Sequence, residues 1–278
     1  MVIDIHGHLG NINFAEFWRA DADRLVQYMR ESGTETLCLS ASRAIMYDIG
    51  EGNAELDAVL KKYDGFYGYV VVSPTFPETE KELHYLDDNP KFRGVKIHPD
   101  YHGYDLSAPS NYRYVDRIAD LTPMMLFHVS CMPGTGFSPA ATVVSIARNH
   151  PETRFVLAHC AGLFQNGNYP FFPNMDSLER ICDEGLPENV WIDTAHYLLY
   201  AYRSVMEKLV RLAGAEHVVF GTDCPLQGPL QMKFAQQAVR ELEISEAEKS
   251  AILSGNARKI LGIGQTADER RTENRNGE

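Results

Sequence analysis

Eight short segments rich in β-branched and aromatic residues recur along the chain, with first residues 26 to 36 positions apart. Apolar side chains with helical spacing fill the intervals; in one of them Leu56, Val59, Leu60 and Tyr63 follow an i, i+3, i+4, i+7 pattern. Several segments are continuously apolar, which is typical of parallel strands buried on both faces. The pattern predicts strands at 2–6, 35–40, 66–72, 92–96, 124–128, 154–159, 190–194 and 217–222.

Eight βα units in one composition regime predict a (β/α)8 TIM barrel that forms a single domain. An open doubly wound sheet is the alternative, but no GxGxxG turn follows the first predicted strand. The barrel is expected to span residues 1–263. Residues 264–278 have no apolar periodicity, so we expect a disordered C-terminal tail there.

The composition excludes some classes of partner. A formal net charge of −12 argues against nucleic acid, which requires a basic surface. The sequence has no apolar run long enough to span a membrane, and its first residues resemble a strand rather than a signal peptide. Five scattered cysteines without a CxxC pair favour a reduced, cytoplasmic protein. We expect a small-molecule substrate and a homodimer.

Histidines concentrate at the carboxyl ends of the predicted strands, where barrel enzymes carry their chemistry. His6 and His8 are two positions apart on one strand and therefore point to the same side. Together with His128 and Asp223 they would supply four nitrogen and oxygen ligands to a single divalent metal. Such ligands suit Zn²⁺, Mn²⁺ or Fe²⁺, and we expect Zn²⁺.

Two further strand-end residues have two interpretations each. His159 is either an acid–base group beside the metal or an additional ligand. Lys96 either pairs with an acid, such as Asp193 or a substrate carboxylate, or is carboxylated and bridges two metals. In that binuclear form, both Lys96 and His159 would join the ligand set.

Other polar residues near the strand ends are candidates for substrate binding. Arg43 follows the second strand, where its guanidinium could hold a substrate carboxylate through two hydrogen bonds, although a surface arginine is an equally good interpretation. His98 and His196 follow the fourth and seventh strands. Lys96 belongs to the same group if it remains an amine.

Five segments carry a family resemblance. They are HGH at 6–8, FH at 127–128, AHCAG at 158–162, FGTDCP at 220–225 and the closing run ILSGNARKILG at 252–262. In this combination the chain resembles the amidohydrolase superfamily, and in particular its amidohydrolase-related branch, which includes aminocarboxymuconate decarboxylase-like enzymes.

The resemblance implies a metal held by His6, His8, His128 and Asp223, with His159 as the general acid–base. It also implies that Asp223 accepts a proton from the metal-bound water. Lys96 lies where dihydroorotase-like members carry a carboxylated lysine, and the segment FRGVKIHP at 92–99 looks like that of hydrolase relatives.

These features favour a metal-dependent hydrolase that attacks an ester, lactone or amide of a small carboxylate-bearing substrate through metal-activated water. The alternative is a non-oxidative decarboxylase, in which the same metal site assists carbon–carbon cleavage. A barrel that only binds ligands is a third interpretation, but such a barrel would not need an open metal site.

Overall fold

The structure is a computed structural model that describes residues 1–11, 19–130, 136–162, 164–165, 173–195, 203–226 and 228–264. Eight parallel strands form one sheet in which neighbours follow the order of the chain, and β7 and β8 form a separate antiparallel pair. In chain order the strands are β1 (Ile3–Leu9), β2 (Thr36–Ala41), β3 (Phe66–Val71), β4 (Phe92–Ile97), β5 (Met124–Phe127), β6 (Arg154–Leu157), β7 (Phe164–Gln165), β8 (Pro173–Asn174), β9 (Val190–Asp193) and β10 (Val218–Val219).

Helices connect successive strands of the sheet. The first, for example, begins at an Asp21 side chain that accepts a hydrogen bond from the backbone N–H of Arg24, and ends at Gly33 in a left-handed conformation. The helical segments are α1 (Ala22–Ser32), α2 (Ser42–Met46), α3 (Ile49–Lys62), α4 (His84–Asp88), α5 (Pro99–His102), α6 (Pro109–Ala119), α7 (Ala140–Asn149), α8 (Ala158–Gly162), α9 (Asp176–Asp183), α10 (Arg203–Ala213), α11 (Pro229–Arg240), α12 (Glu246–Ser250) and α13 (Asn256–Leu261), with 3-10 turns at Pro77–Leu83 and Ala215–His217 and a π-helical turn at Ala251–Gly255. Of these, α8 is a single turn whose central residues, His159, Cys160 and Ala161, have left-handed backbone.

The sheet closes on itself between β1 and the segment that continues from β10. The backbone N–H of Ile5 donates to the carbonyl of Phe220 at 3.0 Å, and that of His8 donates to the carbonyl of Cys224 at 2.8 Å. In the opposite direction, the N–H of Asp223 donates to the carbonyl of His6 at 2.9 Å. These contacts leave no open edge at this junction and confirm the predicted (β/α)8 barrel.

A β-bulge in β1 includes the first of the two histidines. Asp4 pairs with Leu37 and Gly7 with Leu39, so two residues of β1 stand opposite the single Cys38 of β2. Bulges of this kind re-aim side chains and are common beside active sites. His6 therefore lies in the bulge while His8 pairs regularly with Ser40, and the two rings still come to 5.4 Å between centroids.

The packing forms two layers. The larger apolar cluster lies between the strands and the surrounding helices, and a smaller one includes Tyr69, Leu126, Val156 and Trp191. Leu126, Val156 and Trp191 are register partners on adjacent strands, and Leu126 is also the partner of Lys96. Side chains of register partners share one face, so this apolar layer supports the face from which Lys96 projects.

The eight predicted strands and the helices between them are confirmed, with shifts of a few residues at their ends. Of the residues in the predicted tail, only Gly264 lies within the described part of the chain. No helix in the described ranges combines the length and apolar composition needed to cross a membrane. Cys38, Cys160 and Cys224 are buried and free.

Gly94 of β4 provides a test of the packing. A Cβ at this position would lie 2.3 Å from Cγ and 2.4 Å from the carbonyl oxygen of Met124. We expect Gly94→Ala to destabilise the barrel by about 1–3 kcal/mol, measured by chemical denaturation. The same change at Gly255 is the control: its φ is −60° and the nearest atom to a new Cβ is 3.7 Å away, so Ala should fit there. Equal losses for the two variants would contradict this account.

Candidate metal centre

Three residues from distant parts of the chain meet at the carboxyl end of the barrel. Ligand atoms of His6, His159 and Asp223 all lie within 4.8 Å of one another, and all three residues are buried. Asp223 Oδ1 lies 3.4 Å from Nε2 of His6 and 2.9 Å from Nε2 of His8. The structure therefore brings together four of the residues selected from the sequence.

Left-handed backbone conformations help to present two of these side chains. Asp223 and His159 both have φ values of 59°, a region that residues other than glycine rarely adopt. Each carries a hydrogen bond that holds it: the N–H of Asp223 donates to His6, and that of His159 donates to Asp193 Oδ1 at 2.8 Å. Conformations of this kind cluster at functional sites, where the surrounding structure compensates for the strain.

Asp193 connects the elements of the site. Its Oδ2 accepts a hydrogen bond from Nδ1 of His6 at 2.8 Å, and its Oδ1 accepts from the N–H groups of His159 and Ala195. A carboxylate can only accept, so the His6 proton lies on Nδ1 and the lone pair on Nε2 faces Asp223. Burial raises the pKa of Asp193.

A carboxylate that orients a metal-binding histidine is a common feature of metal sites. The sequence suggested Asp193 only as a partner for Lys96. Its position at the end of β9 is a signal that could have identified this second role.

Lys96 is fully buried beside the histidine cluster. Its Nζ lies 3.0 Å from Nε2 of His6. Burial lowers the lysine pKa to about 8, against the opposing effect of the Asp223 and Asp193 carboxylates. The amine is therefore close to losing its charge near neutral pH, the state in which a lysine can act as a nucleophile or take up CO2.

His128 lies next to the three-residue cluster and contacts it through His159. Its Nδ1 is 3.1 Å from Nε2 of His159, and its Nε2 is 3.6 Å from Oδ2 of Asp100. The ring of His98 stacks on His128 at 4.1 Å between centroids, with 13° between the planes. Burial and the neighbouring His128 and Lys96 hold the pKa of His98 well below its usual value.

Of the candidate substrate-binding residues, Arg43 is not brought to the cluster. Arg43 is half exposed on α2, and its guanidinium pairs with the carboxylate of Glu51. His196 lies outside the described residues. Ser40 was not selected from the sequence; its hydroxyl lies 3.1 Å from Nδ1 of His8 and steadies that ring.

The residues present fit a divalent metal. Imidazole nitrogens and a carboxylate oxygen are the donors that Zn²⁺, Mn²⁺ and Fe²⁺ share. The hydrogen bond from His6 to Asp193 leaves Nε2 without a proton, with Lys96 Nζ at 3.0 Å and Asp223 Oδ1 at 3.4 Å. The arrangement matches the carboxylate–histidine–metal geometry of known sites.

The family model described as Amidohydrolase matches residues 3–263. The chain belongs to this family. The match covers every strand of the barrel and all four residues His6, His8, His159 and Asp223. A search of curated protein sequences found no match.

Solved structures share the fold at low sequence identity. A 2,6-dihydroxybenzoate decarboxylase complexed with 2,6-dihydroxybenzoate is 15% identical, with a TM-score of 0.70 over 95% of this chain and 99% of its own. A dihydroxybenzoic acid decarboxylase from Polaromonas sp. JS666, with bound manganese and the inhibitor 2-nitroresorcinol, is 16% identical, with a TM-score of 0.69 over 95% and 98%. A 5-carboxyvanillate decarboxylase from Sphingomonas paucimobilis is 15% identical, with a TM-score of 0.66 over 94% and 99%.

These comparisons correct the expectation of a hydrolase. All three solved structures are named as decarboxylases, which supports the alternative reaction and not cleavage of an ester, lactone or amide. The physical reason is that the histidine and aspartate motifs specify a metal centre, and one such centre serves either reaction. The segment at 92–99 did not discriminate between them.

Asp193→Asn tests the orientation of His6. The Asn side chain has one N–H2 group and one oxygen in place of two carboxylate oxygens. It would therefore either place a second donor against the Nδ1–H of His6 or accept that hydrogen bond through a single neutral oxygen. In both cases the orientation of the His6 ring would be held less firmly. We expect metal affinity to fall about 10–100-fold, measured by competition with a chelator. Asp116→Asn is the control because Asp116 makes a similar 3.0 Å contact with His150 outside the site. Unchanged affinity in Asp193→Asn would refute the role.

Proposed function

We propose that this protein is a metal-dependent, non-oxidative decarboxylase of a small carboxylate substrate. The observation that carries the proposal is the convergence of His6, His159 and Asp223, in a fold shared with metal-containing decarboxylases. The reaction replaces a carboxylate with hydrogen: the carbon–carbon bond breaks, its electron pair remains on the substrate carbon, CO2 leaves and a proton takes its place.

The names of the similar structures suggest a substrate class. 2,6-Dihydroxybenzoate and 5-carboxyvanillate are both aromatic acids that carry a hydroxyl group. A hydroxyl on the ring supplies electron density to the carbon that must accept a proton. We therefore propose a hydroxylated aromatic carboxylate as the substrate of this chain.

His6, His8, His128 and Asp223 are the proposed ligands of one divalent ion, either Zn²⁺ or Mn²⁺. Manganese is the ion bound in the Polaromonas relative. When bound, the ion supplies Lewis-acid polarisation of the oxygen atoms that it contacts. Asp193 sets the proton position on His6, and Asp100 stands beside Nε2 of His128, which leaves Nδ1 of that ring facing His159.

His159 is the proposed proton donor. It is buried within the cluster and contacts His128, and its backbone is fixed by Asp193. An imidazole has an unperturbed pKa near neutrality, which suits transfer of a proton to the substrate carbon and its later recovery from solvent. In this proposal Lys96 is not carboxylated. Its amine lies beside His6, where it would face a substrate carboxylate.

A direct assay tests the reaction. The metal-loaded protein is incubated separately with 2,6-dihydroxybenzoate and 5-carboxyvanillate in D2O. We expect CO2 release and one deuterium at the carbon that lost the carboxylate.

Asp223→Asn should reduce turnover by at least about 10³-fold because it removes a proposed ligand charge. Asp116→Asn, on the far Asp–His pair, should leave turnover unchanged. Absence of CO2 with both acids would reject the proposed substrates. Hydrolysis of an aryl ester in a parallel incubation, without CO2 release from either acid, would reject the reaction.

Metal analysis separates the roles of the neighbouring histidines. We expect about one divalent ion per chain, loss of that ion in His128→Asn, and retention of it in His159→Asn with turnover abolished. Loss of the ion in His159→Asn and its retention in His128→Asn would instead make His159 the ligand and His128 the proton donor. Two ions per chain, with loss of one in Lys96→Met, would instead support the binuclear form with a carboxylated lysine. Element analysis of each purified variant gives the answer without a substrate.

A further inference from the structure

A second concave site lies outside the metal centre. It is a cavity of about 460 Å³ between α2, the first turn of α3, the 3-10 turn Pro77–Leu83 and α5. None of His6, His8, His159 and Asp223 lines it. Its volume is within the range of roughly 300–1,000 Å³ that is usual for small-molecule sites.

The lining of this cavity is negatively charged. Asp48, Glu78 and Glu82 contribute carboxylates; among the described residues that line the cavity, Lys81 is the only lysine and none is an arginine. His102 also lines the cavity, and burial lowers its pKa, which favours the neutral ring. A concave surface with an excess of carboxylates concentrates cations.

Glu82 is the most informative residue of the lining. It is 7% exposed, and no described residue makes a hydrogen bond or ion pair to its carboxylate. Oε1 lies 3.8 Å from the point where a Cβ on Gly50 would stand, and Gly50 also lines the cavity. Although the residue as a whole is largely buried, its carboxylate oxygens are not enclosed by protein and face the cavity. The side chain is therefore positioned for a partner that enters the cavity.

Exposed aromatic side chains also line the cavity. Tyr47, Phe76 and Tyr101 are 72%, 49% and 46% exposed. Aromatic faces attract organic cations and cover their apolar parts. A bare metal ion would gain little from them, since hard cations prefer a shell of oxygen ligands. The combination favours an ammonium group attached to an apolar body.

We propose that this cavity binds a small organic amine in its protonated or quaternary form. Glu82 is the counter-ion, and Tyr47, Phe76 and Tyr101 contact the body of the ligand. The proposal goes beyond decarboxylation and does not depend on it, because Glu82, Tyr47 and Phe76 lie outside the metal centre. Tyr101 adjoins both sites, since its ring packs on His98 at 4.6 Å between centroids.

Calorimetric titration of the metal-loaded full chain tests the proposal, with benzylammonium and its neutral counterpart benzyl alcohol as probes. We expect benzylammonium to bind at least about 10-fold more tightly than the alcohol. Glu82→Gln should remove this preference without changing alcohol binding. Glu55→Gln, an exposed charge change on α3 outside the cavity lining, should have no effect. Equal affinity for the two probes, or no binding of benzylammonium, would overturn the proposal.

Two more variants keep the test decisive if Glu82→Gln does not fold. Tyr47→Ala alters an exposed side chain and should weaken benzylammonium about 3-fold. Asp223→Asn alters the metal centre and should leave benzylammonium binding unchanged. Loss of binding in Asp223→Asn would place the cation at the metal centre and refute a separate site. Full affinity for benzylammonium in Tyr47→Ala, together with displacement of benzylammonium by Ca²⁺, would also refute the proposal.

Discussion

The closure of the barrel is the interaction on which the site depends. Where β1 meets the segment after β10, the carbonyl of His6 accepts the N–H of Asp223, and the carbonyl of Cys224 accepts that of His8. The same backbone hydrogen bonds that join the first and last parts of the sheet thus bring two imidazoles to one carboxylate. A barrel that failed to close would lose both its seam and its metal centre.

The site is held by buried polar groups that satisfy one another. Asp193 receives one ring N–H and two backbone N–H groups, and Asp4 receives hydrogen bonds from His6 and Thr222 on the two sides of the seam. Burial raises the pKa of Asp4 to about 7 and also raises that of Asp193. Such networks are stabilising only when their members are all paired, which makes each carboxylate sensitive to substitution.

The residues of the candidate metal centre do not by themselves specify the reaction. Family membership follows from a match over residues 3–263, and the convergence of His6, His159 and Asp223 forms a group that could hold a metal ion. Whether that metal assists hydrolysis or loss of CO2 depends on which substrate atoms reach it and which side chain carries the proton. For this reason the strand-end motifs predicted the family while the expected hydrolysis was wrong.

The barrel and most of the cluster could be predicted from the amino-acid sequence, because strand-end positions in a parallel barrel must share one mouth. His6, His8, His159 and Asp223 could be selected from their places in the βα repeat. The position of Lys96 against Nε2 of His6, the pairing of Arg43 with Glu51, and the contact of His128 with His159 emerge only in the folded chain. Those outcomes depend on rotamers, on the bulge in β1 and on left-handed backbone at His159 and Asp223. Asp193 shows the same limit: its place at a strand end is visible in the sequence, but its three donors come from β1, the turn after β6 and its own strand end, and only folding brings them together.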